Sequence, residues 1–267
     1  LVLADLDLRD GYNSDTDNIL HDFYIPALSK STKYWRLTGY FSSSAIRVAA
    51  QGIRNLIKNG GTMRLITGLE FSEKDAKAIE DGALDVEQAT TNALNEELEK
   101  LSEEDFTMQP ARVLGWMLKK NILEIKIADV TGQGIYHPKV GILFDEDNQS
   151  ISFSGANNET ARGWSFKTGN VEVFKVFQKD IDRFYNLDLT DFLNFWNKRT
   201  NRTKVYDLPE AIKQKLMSIA PEKYEDEDMG YDDGIGTQTP PTTNELWPHQ
   251  KLAIRAWSDP ATWRNNL

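Results

Sequence analysis

A histidine and a lysine separated by one residue stand at the start of an apolar, β-branched run, YHPKVGILF, that begins at Tyr136. Side chains alternate between the two faces of a strand, so His137 and Lys139 are predicted to share one face. A nucleophile and a cation would then lie on one wall of a site. Asn158 follows the next predicted strand and Glu172 lies in a third, so three strand ends are expected to converge on one phosphate.

These residues resemble the signature of the phospholipase D superfamily, which is His-x-Lys, a downstream Asp, Gly-Ser-x-Asn and Asn-x-Glu. The matching residues are His137, Lys139, Asp145, Gly155, Asn158, Asn170 and Glu172. Two positions depart from the signature, because the Asp comes one residue later than in the common spacing and Ala156 replaces the serine. A missing hydroxyl costs about 1 to 3 kcal/mol where a buried partner is left unpaired, so a weakened activity is expected.

The resemblance implies a role for each residue in phosphodiester cleavage, a reaction that needs a nucleophile, an acid, and cations or dipoles on the phosphate oxygens. His137 would be the nucleophile and form a phosphohistidine. Lys139 and Asn158 would hold the phosphate oxygens, and Glu172 would accept a hydrogen bond from the other nitrogen of His137. Asp145 belongs to the implied set as a structural support. Such a site uses no metal and no other cofactor.

The number of histidines that could act as the general acid bears on the quaternary structure. The chain has three histidines, His21, His137 and His249, and only His137 lies in the motif. General acid catalysis contributes roughly 10²- to 10⁴-fold, and one chain offers no evident second group for it. Family members with one copy of the motif pair two chains across a twofold axis, so the resemblance implies a homodimer. The alternative for a lone histidine on a strand is a place in the core.

The elements around the motif predict an α/β fold, a single phospholipase D-like domain with a mixed, mostly parallel sheet flanked by helices. Residues 34–41, 122–128, 150–154 and 170–174 have the alternating or apolar character of strands, and residues 45–58 that of an amphipathic helix. With a further strand at residues 63–67, the segment 34–67 forms a β-α-β unit and a parallel strand pair. Residues 72–120 are predicted to be a helical insertion.

The stretches GYFSSSA and GGTMRLITG resemble the opening half of the phospholipase D-like domain at the N-terminus of certain bacterial DEAD/DEAH-type helicases. That resemblance extends from about residue 9 to residue 180. It implies a restriction or phage-defence protein in which a nuclease domain is joined to an ATP-driven motor. The serines at 42–44 either line the site or cap the following helix, and capping is the more common use.

A change of composition divides the chain into a domain at 1–204, an acidic and Pro/Thr-rich linker at 205–245, and a final segment at 246–267. The final segment, with LWPHQKLAIRAW, resembles the Q-motif that precedes the phosphate loop of superfamily-2 helicases. By that resemblance Gln250 would contact ATP. The alternative is a docking helix with an incidental glutamine. No phosphate loop is present, and the chain is interpreted as a fragment of a longer protein.

The charge distribution is compatible with a nucleic-acid partner, which we take to be DNA. The net charge of the 267 residues is -10, but residues 70–105 hold 13 acidic and 3 basic side chains and residues 205–245 hold 10 and 3. The remaining residues are therefore net positive, as a polyanionic substrate requires, although an ordinary solvated surface has the same composition. No cysteine, signal peptide or membrane-spanning run is found, which predicts a soluble, cytoplasmic protein.

Three functions are compatible with these features. The preferred one is a metal-independent nuclease domain of a helicase-linked defence protein. The second is a catalytically weak or inactive module that binds DNA or dimerises the helicase, which Ala156 favours. The third, a lipid phosphodiesterase, is disfavoured by the absence of a signal or membrane-binding stretch and by the helicase-like tail.

Overall fold

The computed structural model describes residues 2–41, 45, 48–68, 85, 88–95, 105–130, 135–164 and 170–223. The three serines at 42–44, the Gln250 segment and the predicted linker beyond residue 223 lie outside the described residues. All described residues belong to one compact unit. Within them, no helix combines the length and the apolar character needed to cross a bilayer.

The strands and helices alternate along most of the chain, so the predicted α/β class is confirmed. The strands are β1 (Gly11–Asn13), β2 (Lys33–Thr38), β3 (Thr62–Gly68), β4 (Leu123–Val130), β5 (Lys139–Phe144), β6 (Ser150–Gly155), β7 (Val173–Gln178) and β8 (Thr203–Asp207). The α-helices are α1 (Ile25–Ser29), α2 (Ala50–Lys58), α3 (Asp105–Lys119), α4 (Ala161–Trp164), α5 (Arg183–Trp196) and α6 (Glu210–Ser218). A π-helical turn, Leu20–Tyr24, leads into α1, and residues 88–95 are also helical.

The eight strands form one sheet in the order β1-β7-β6-β5-β2-β3-β4-β8. Only β2–β3 and β3–β4 are parallel, and the other five pairs are antiparallel, so the prediction of a mostly parallel sheet is wrong. The predicted β-α-β unit accounts for the first parallel pair. Antiparallel pairing follows from short connections, such as the five-residue turn between Phe144 and Ser150 that folds β5 and β6 into a hairpin.

Helices cover both faces of the sheet because its central strands bury side chains on both sides. Leu65 and Leu143 point into a core with α1, α2, α3 and α6, whereas their neighbours Ile66 and Ile142 point into a second core with α5. This is the period-2 alternation of a strand between two apolar layers. The layered arrangement fixes which strand ends meet at the edge of the sheet.

The folded part extends beyond the predicted boundary at residue 204. Strand β8 pairs with β4, and helix α6 packs against α3 at Gly115, where a side chain would collide with the carbonyl oxygen of Leu216. Val205, Ile212 and Leu216 are buried. The predicted linker therefore begins with a strand and a helix, because these spaced apolar residues bury enough surface to order a segment whose overall composition is polar.

Asp188 of α5 is a buried carboxyl group on the second core. The hydroxyl of Ser152 donates to its Oδ2 at 2.6 Å, and only 9% of the residue is exposed. Burial raises the pKa of Asp188 to about 6, and Asp191 adds to the effect while the bond from Ser152 opposes it. The folded state therefore holds this proton more tightly than the unfolded chain does.

We expect the free energy of unfolding to fall as the pH rises from about 4 to about 6, because ionising Asp188 in the core is costly. Asp188→Asn keeps the shape and an acceptor for Ser152 without the charge. At pH 8 it should raise the free energy of unfolding by on the order of 2 kcal/mol, and at pH 4 it should change little. Urea unfolding at both pH values measures this, with Asp147→Asn, at an exposed position in the turn between β5 and β6, as the control. Equal effects at both pH values would contradict the interpretation.

Candidate active site

Four strand ends meet at one edge of the sheet, which we call the site edge. Strand β5 runs antiparallel to β2 and β6, so its first residue, Lys139, pairs with the last residue of β2, Thr38. Strand β6 ends there, and its last residue, Gly155, lies opposite Phe174 near the start of β7. The site edge thus collects the predicted site residues from three separate strands.

His137 and Lys139 contact each other at the site edge, as the alternation predicts. The Nζ atom of Lys139 lies 2.8 Å from Nε2 of His137 and donates to the main-chain oxygen of His137 at 3.2 Å. His137 is exposed, whereas Lys139 is 9% exposed. The imidazole is therefore open to a ligand, and the ammonium group lies behind it.

The surroundings shift the pKa values of both side chains downward. Burial, and then the charge of Arg36, lower the pKa of Lys139 to about 8, and the carboxylate of Glu172 opposes both effects. Partial burial, and then the charge of Lys139, lower the pKa of His137. At neutral pH the imidazole is mostly neutral and keeps a lone pair, while the lysine is still charged. This is the protonation state that a nucleophile and an anion-binding group require.

Asn158 is oriented by the end of β2. The main-chain N–H of Tyr40 donates to Oδ1 of Asn158 at 3.2 Å, and the Thr38 hydroxyl lies 3.4 Å from the same oxygen. Because the amide oxygen is used in this way, the Nδ2 group is the part of the amide that remains to donate to an anion. The structure thus brings Asn158 to the site edge in an orientation that suits a phosphate oxygen.

Asn170 and Glu172 also lie at the site edge, but before β7 rather than inside a strand that starts at residue 170. Ser14 holds this segment in place. Its Oγ donates to the main-chain oxygen of Asn170 at 3.1 Å and accepts from the main-chain N–H of Glu172 at 2.7 Å. Nδ2 of Asn170 donates to Oε1 of Glu172 at 3.3 Å. Burial raises the pKa of Glu172, although Asn170 and the charges of Lys139 and Arg36 oppose it.

The predicted hydrogen bond from His137 to Glu172 is not among the contacts of the described residues. Glu172 acts instead on Lys139, whose positive charge it favours electrostatically. The carboxylate therefore helps to keep the lysine protonated, and it does not fix the tautomer of the histidine in this arrangement.

Asp145 lies at the opposite end of β5, about 20 Å along the strand from Lys139. It is buried, and it accepts three main-chain N–H groups, from Leu3 at 3.0 Å, Asp147 at 3.0 Å and Gln149 at 2.9 Å. These bonds close the turn between β5 and β6 and attach the N-terminal segment. The structure does not bring Asp145 to the site edge, so it serves as a structural support.

Ala156 lies exposed at the site edge and donates its main-chain N–H to the oxygen of Val173 at 3.1 Å. A serine at this position would therefore carry its hydroxyl on an exposed residue. The cost expected for a buried unpaired partner does not apply to an exposed position.

A buried ion pair beneath the site edge is the feature that the sequence analysis missed. Arg36 in β2 is fully buried, and its Nε lies 2.9 Å from Oε2 of Glu159. Glu159 also accepts hydrogen bonds from the hydroxyls of Tyr34, at 2.9 Å, and Tyr24. The guanidinium group donates to the main-chain oxygen of Asn157. An arginine inside the apolar run YWRLT was the signal that could have indicated this pair.

The ion pair anchors the residues on both sides of Asn158. Arg36 holds Asn157, and the N–H of Glu159 donates to the Thr38 hydroxyl at 2.9 Å. Asn158 is thereby tied to β2 through both of its chain neighbours. Its position relative to His137 depends on a buried network and not on the flexibility of a loop.

Gly39, directly after β2, allows the histidine to approach. A Cβ atom at this position would lie 3.1 Å from Cδ2 of His137 and 3.2 Å from the oxygen of Tyr136. These separations are shorter than ordinary contacts, so any larger residue would displace the segment that carries the imidazole.

Within the described residues, no three histidine or carboxylate side chains come together as a metal site would need.

The fold is similar to two solved structures. Phosphatidylserine synthase from Haemophilus influenzae Rd KW20 matches 78% of this chain over 44% of its own length, with 15% identity and a TM-score of 0.41. A mutant of yeast tyrosyl-DNA phosphodiesterase 1 matches 72% of this chain over 34% of its own length, with 9% identity and a TM-score of 0.34. The chain spans less than half the length of either structure, and likenesses this distant assign no function. No family model and no curated protein matches the chain.

Glu159→Gln is expected to lower the free energy of unfolding by about 3 to 5 kcal/mol, because it leaves the buried charge of Arg36 without its counter-ion. Glu124→Gln is the control, since Glu124 pairs with Arg64 at 3.2 Å on the surface and an exposed pair contributes about 1 kcal/mol or less. Urea unfolding of both variants gives the comparison. Equal losses in the two variants would show that the buried pair is not a special support of the fold.

Proposed function

We propose that this chain is a metal-independent phosphodiesterase domain of the phospholipase D type, acting on nucleic acid, with DNA as the expected substrate. The observation that carries the proposal is the contact between the exposed His137 and Lys139 at the site edge, where Asn158 also lies. A neutral imidazole, a buried ammonium group and an oriented amide are the groups that attack on a phosphodiester requires.

The first step forms a bond between the imidazole nitrogen and phosphorus and breaks the bond from phosphorus to the leaving oxygen. In the free site, Nε2 of His137 is occupied by Lys139 at 2.8 Å. A bound phosphate competes for the ammonium group, so its arrival frees the nitrogen lone pair for attack. Lys139 and the Nδ2 group of Asn158 then neutralise the charge on the two non-bridging oxygens. Water hydrolyses the phosphohistidine in the second step.

The leaving oxygen needs a proton, and a second copy of the chain would supply it from the protonated form of its own His137, which is the minor form at neutral pH. Support for such a homodimer comes from the rim of the site edge. Ile135 is 67% exposed and lies two residues before His137, and Val171 is 68% exposed and directly precedes Glu172. Two large apolar side chains beside a polar site are what a second copy would cover.

The wider setting rests on the sequence resemblance. We infer that the domain belongs to a restriction or phage-defence protein, in the cytoplasm, whose helicase part binds ATP through the segment that contains Gln250. Gln250 and its neighbours lie outside the described residues. The phosphodiesterase domain itself is proposed to use neither metal nor ATP.

A second candidate function is a non-catalytic module that binds DNA or dimerises the helicase. The observation that favours it is Ala156 in place of the serine of the motif. The exposed position of Ala156 weakens this argument, because no buried pair loses a partner there. Activity measurements separate the two functions directly.

We expect the full chain to hydrolyse bis-p-nitrophenyl phosphate and a DNA duplex in the presence of EDTA, and His137→Ala to lose at least about a thousandfold of that activity, since the nucleophile is removed. His21→Ala is the matched control, because His21 lies in the π-helical turn and is not part of the motif. If the unsubstituted protein and His137→Ala bind DNA and are equally inert, the non-catalytic module is the correct function.

The solution mass, measured by light scattering, is expected to be that of two chains. Ile135→Glu/Val171→Glu should convert the dimer to a monomer and abolish hydrolysis, because two charges would be buried at the contact. Ile181→Glu is the control, since Ile181 is 74% exposed before α5, near the far end of β7. A monomer that retains full activity would overturn the proposal of a shared site.

A further inference from the structure

The segment after α5 is strongly basic. Residues 197–204 read NKRTNRTK and contain four cations and no acidic residue. Lys198, Arg199, Arg202 and Lys204 are all exposed. We call residues 198–204 the basic loop. The proposed chemistry of the site uses none of these residues.

The C-terminal end of the basic loop lies at the site edge. It leads into β8, which is antiparallel to β4, and its Thr203 pairs with Val130 at the end of β4. Strands β4, β3 and β2 are parallel, so the end of β4 lies at the same edge of the sheet as the end of β2. Thr203 of the loop and His137 therefore lie at one edge, separated by the four strand spacings from β5 to β8, or about 19 Å. Lys198, at the other end of the loop, pairs with Asp207 four residues further along β8.

The backbone of the loop is fixed by hydrogen bonds. The N–H groups of Lys198 and Arg199 donate to the oxygens of Phe195 at 3.0 Å and Asn194 at 2.7 Å, which is the Schellman pattern for a helix end. Lys198 has the left-handed φ of 59° that this pattern needs. The Thr200 hydroxyl donates to the oxygen of Thr203 at 2.5 Å. The cations are thus carried on an ordered backbone.

The acidic neighbours of the loop leave its charge positive. Asp207 pairs with Lys198 at 3.0 Å and with Lys126 at 3.6 Å, and Asp129 lies opposite Lys204 across the strand pair. These two acids face the lysines, and the loop has four cations against them, so its net charge is positive. Cations in the last turn of a helix also stabilise its negative end, but that effect fades within one turn and does not account for Arg202.

We propose that the basic loop binds the phosphate backbone of the nucleic acid whose scissile phosphate lies at His137. This inference rests on the proposed function and locates a second contact for its substrate. Successive phosphates of one strand are spaced about 3.4 Å along a duplex, so 19 Å corresponds to about six base pairs. The loop would therefore contact phosphates about six base pairs from the cleaved bond and set a minimum length for tight binding.

The test measures the binding of a fluorescein-labelled 20-base-pair DNA duplex by anisotropy, in the His137→Ala background so that cleavage does not interfere. Arg199→Gln/Arg202→Gln should bind about tenfold more weakly at 50 mM salt, and the slope of log affinity against log salt should fall in magnitude by about 1.8. Lys33→Gln/Arg183→Gln is the matched control. It removes the same charge from the opposite edge of the sheet, and its affinity and slope should be unchanged.

Two further measurements separate this inference from the proposed function. With His137 intact, Arg199→Gln/Arg202→Gln should hydrolyse bis-p-nitrophenyl phosphate at the unsubstituted rate, since that ester is too small to reach the loop. If no variant hydrolyses the ester but DNA binding still depends on the two arginines, the proposed chemistry fails and the loop inference stands. Thermal melting of the variant should match that of the control.

Three results would overturn the inference. They are equal DNA affinity and salt slope in the arginine variant and the unsubstituted protein, an equal loss of affinity in the control, and binding to phosphatidylglycerol vesicles in place of DNA. The first result would mean that the arginines do not bind DNA and only stabilise the C-terminal end of α5. The third would identify a lipid surface as the partner of the basic loop.

Discussion

The buried ion pair between Arg36 and Glu159 is the interaction on which the candidate site depends. Two charges inside a protein are stable only if their lost hydration is replaced, and here the hydroxyls of Tyr24 and Tyr34 and a main-chain oxygen replace part of it. The pair joins β2 to the chain after β6. Asn158, which lies between Asn157 and Glu159, takes its position from this pair.

The same arginine connects the support of the site to its chemistry. Its charge adds to burial in lowering the pKa of Lys139, while Glu172 acts in the opposite direction. With a pKa of about 8, the lysine is charged at neutral pH and yet loses its proton more easily than a surface lysine does. Because its surroundings disfavour its charged form, the ammonium group would be stabilised by a bound phosphate.

The direction of the strands decides which groups share the site edge. Because β5 is antiparallel to its neighbours, the starts of β5, β7 and β8 lie beside the ends of β2, β3, β4 and β6. In a mostly parallel sheet His137 would lie at the opposite edge from the end of β2. The antiparallel pairs thus place His137, Asn158 and the C-terminal end of the basic loop along one edge, on a chain whose net charge is -10.

The sequence by itself determined the α/β class, the β-α-β unit and the contact of His137 with Lys139, because these follow from periodicity over a few neighbouring residues. It did not determine strand directions, the strand and helix after residue 204, the far position of Asp145, or the partner of Arg36. Each of these depends on which distant segments pack together. Arg36 and Glu159 are 123 positions apart, and only the folded sheet makes the burial of either charge possible.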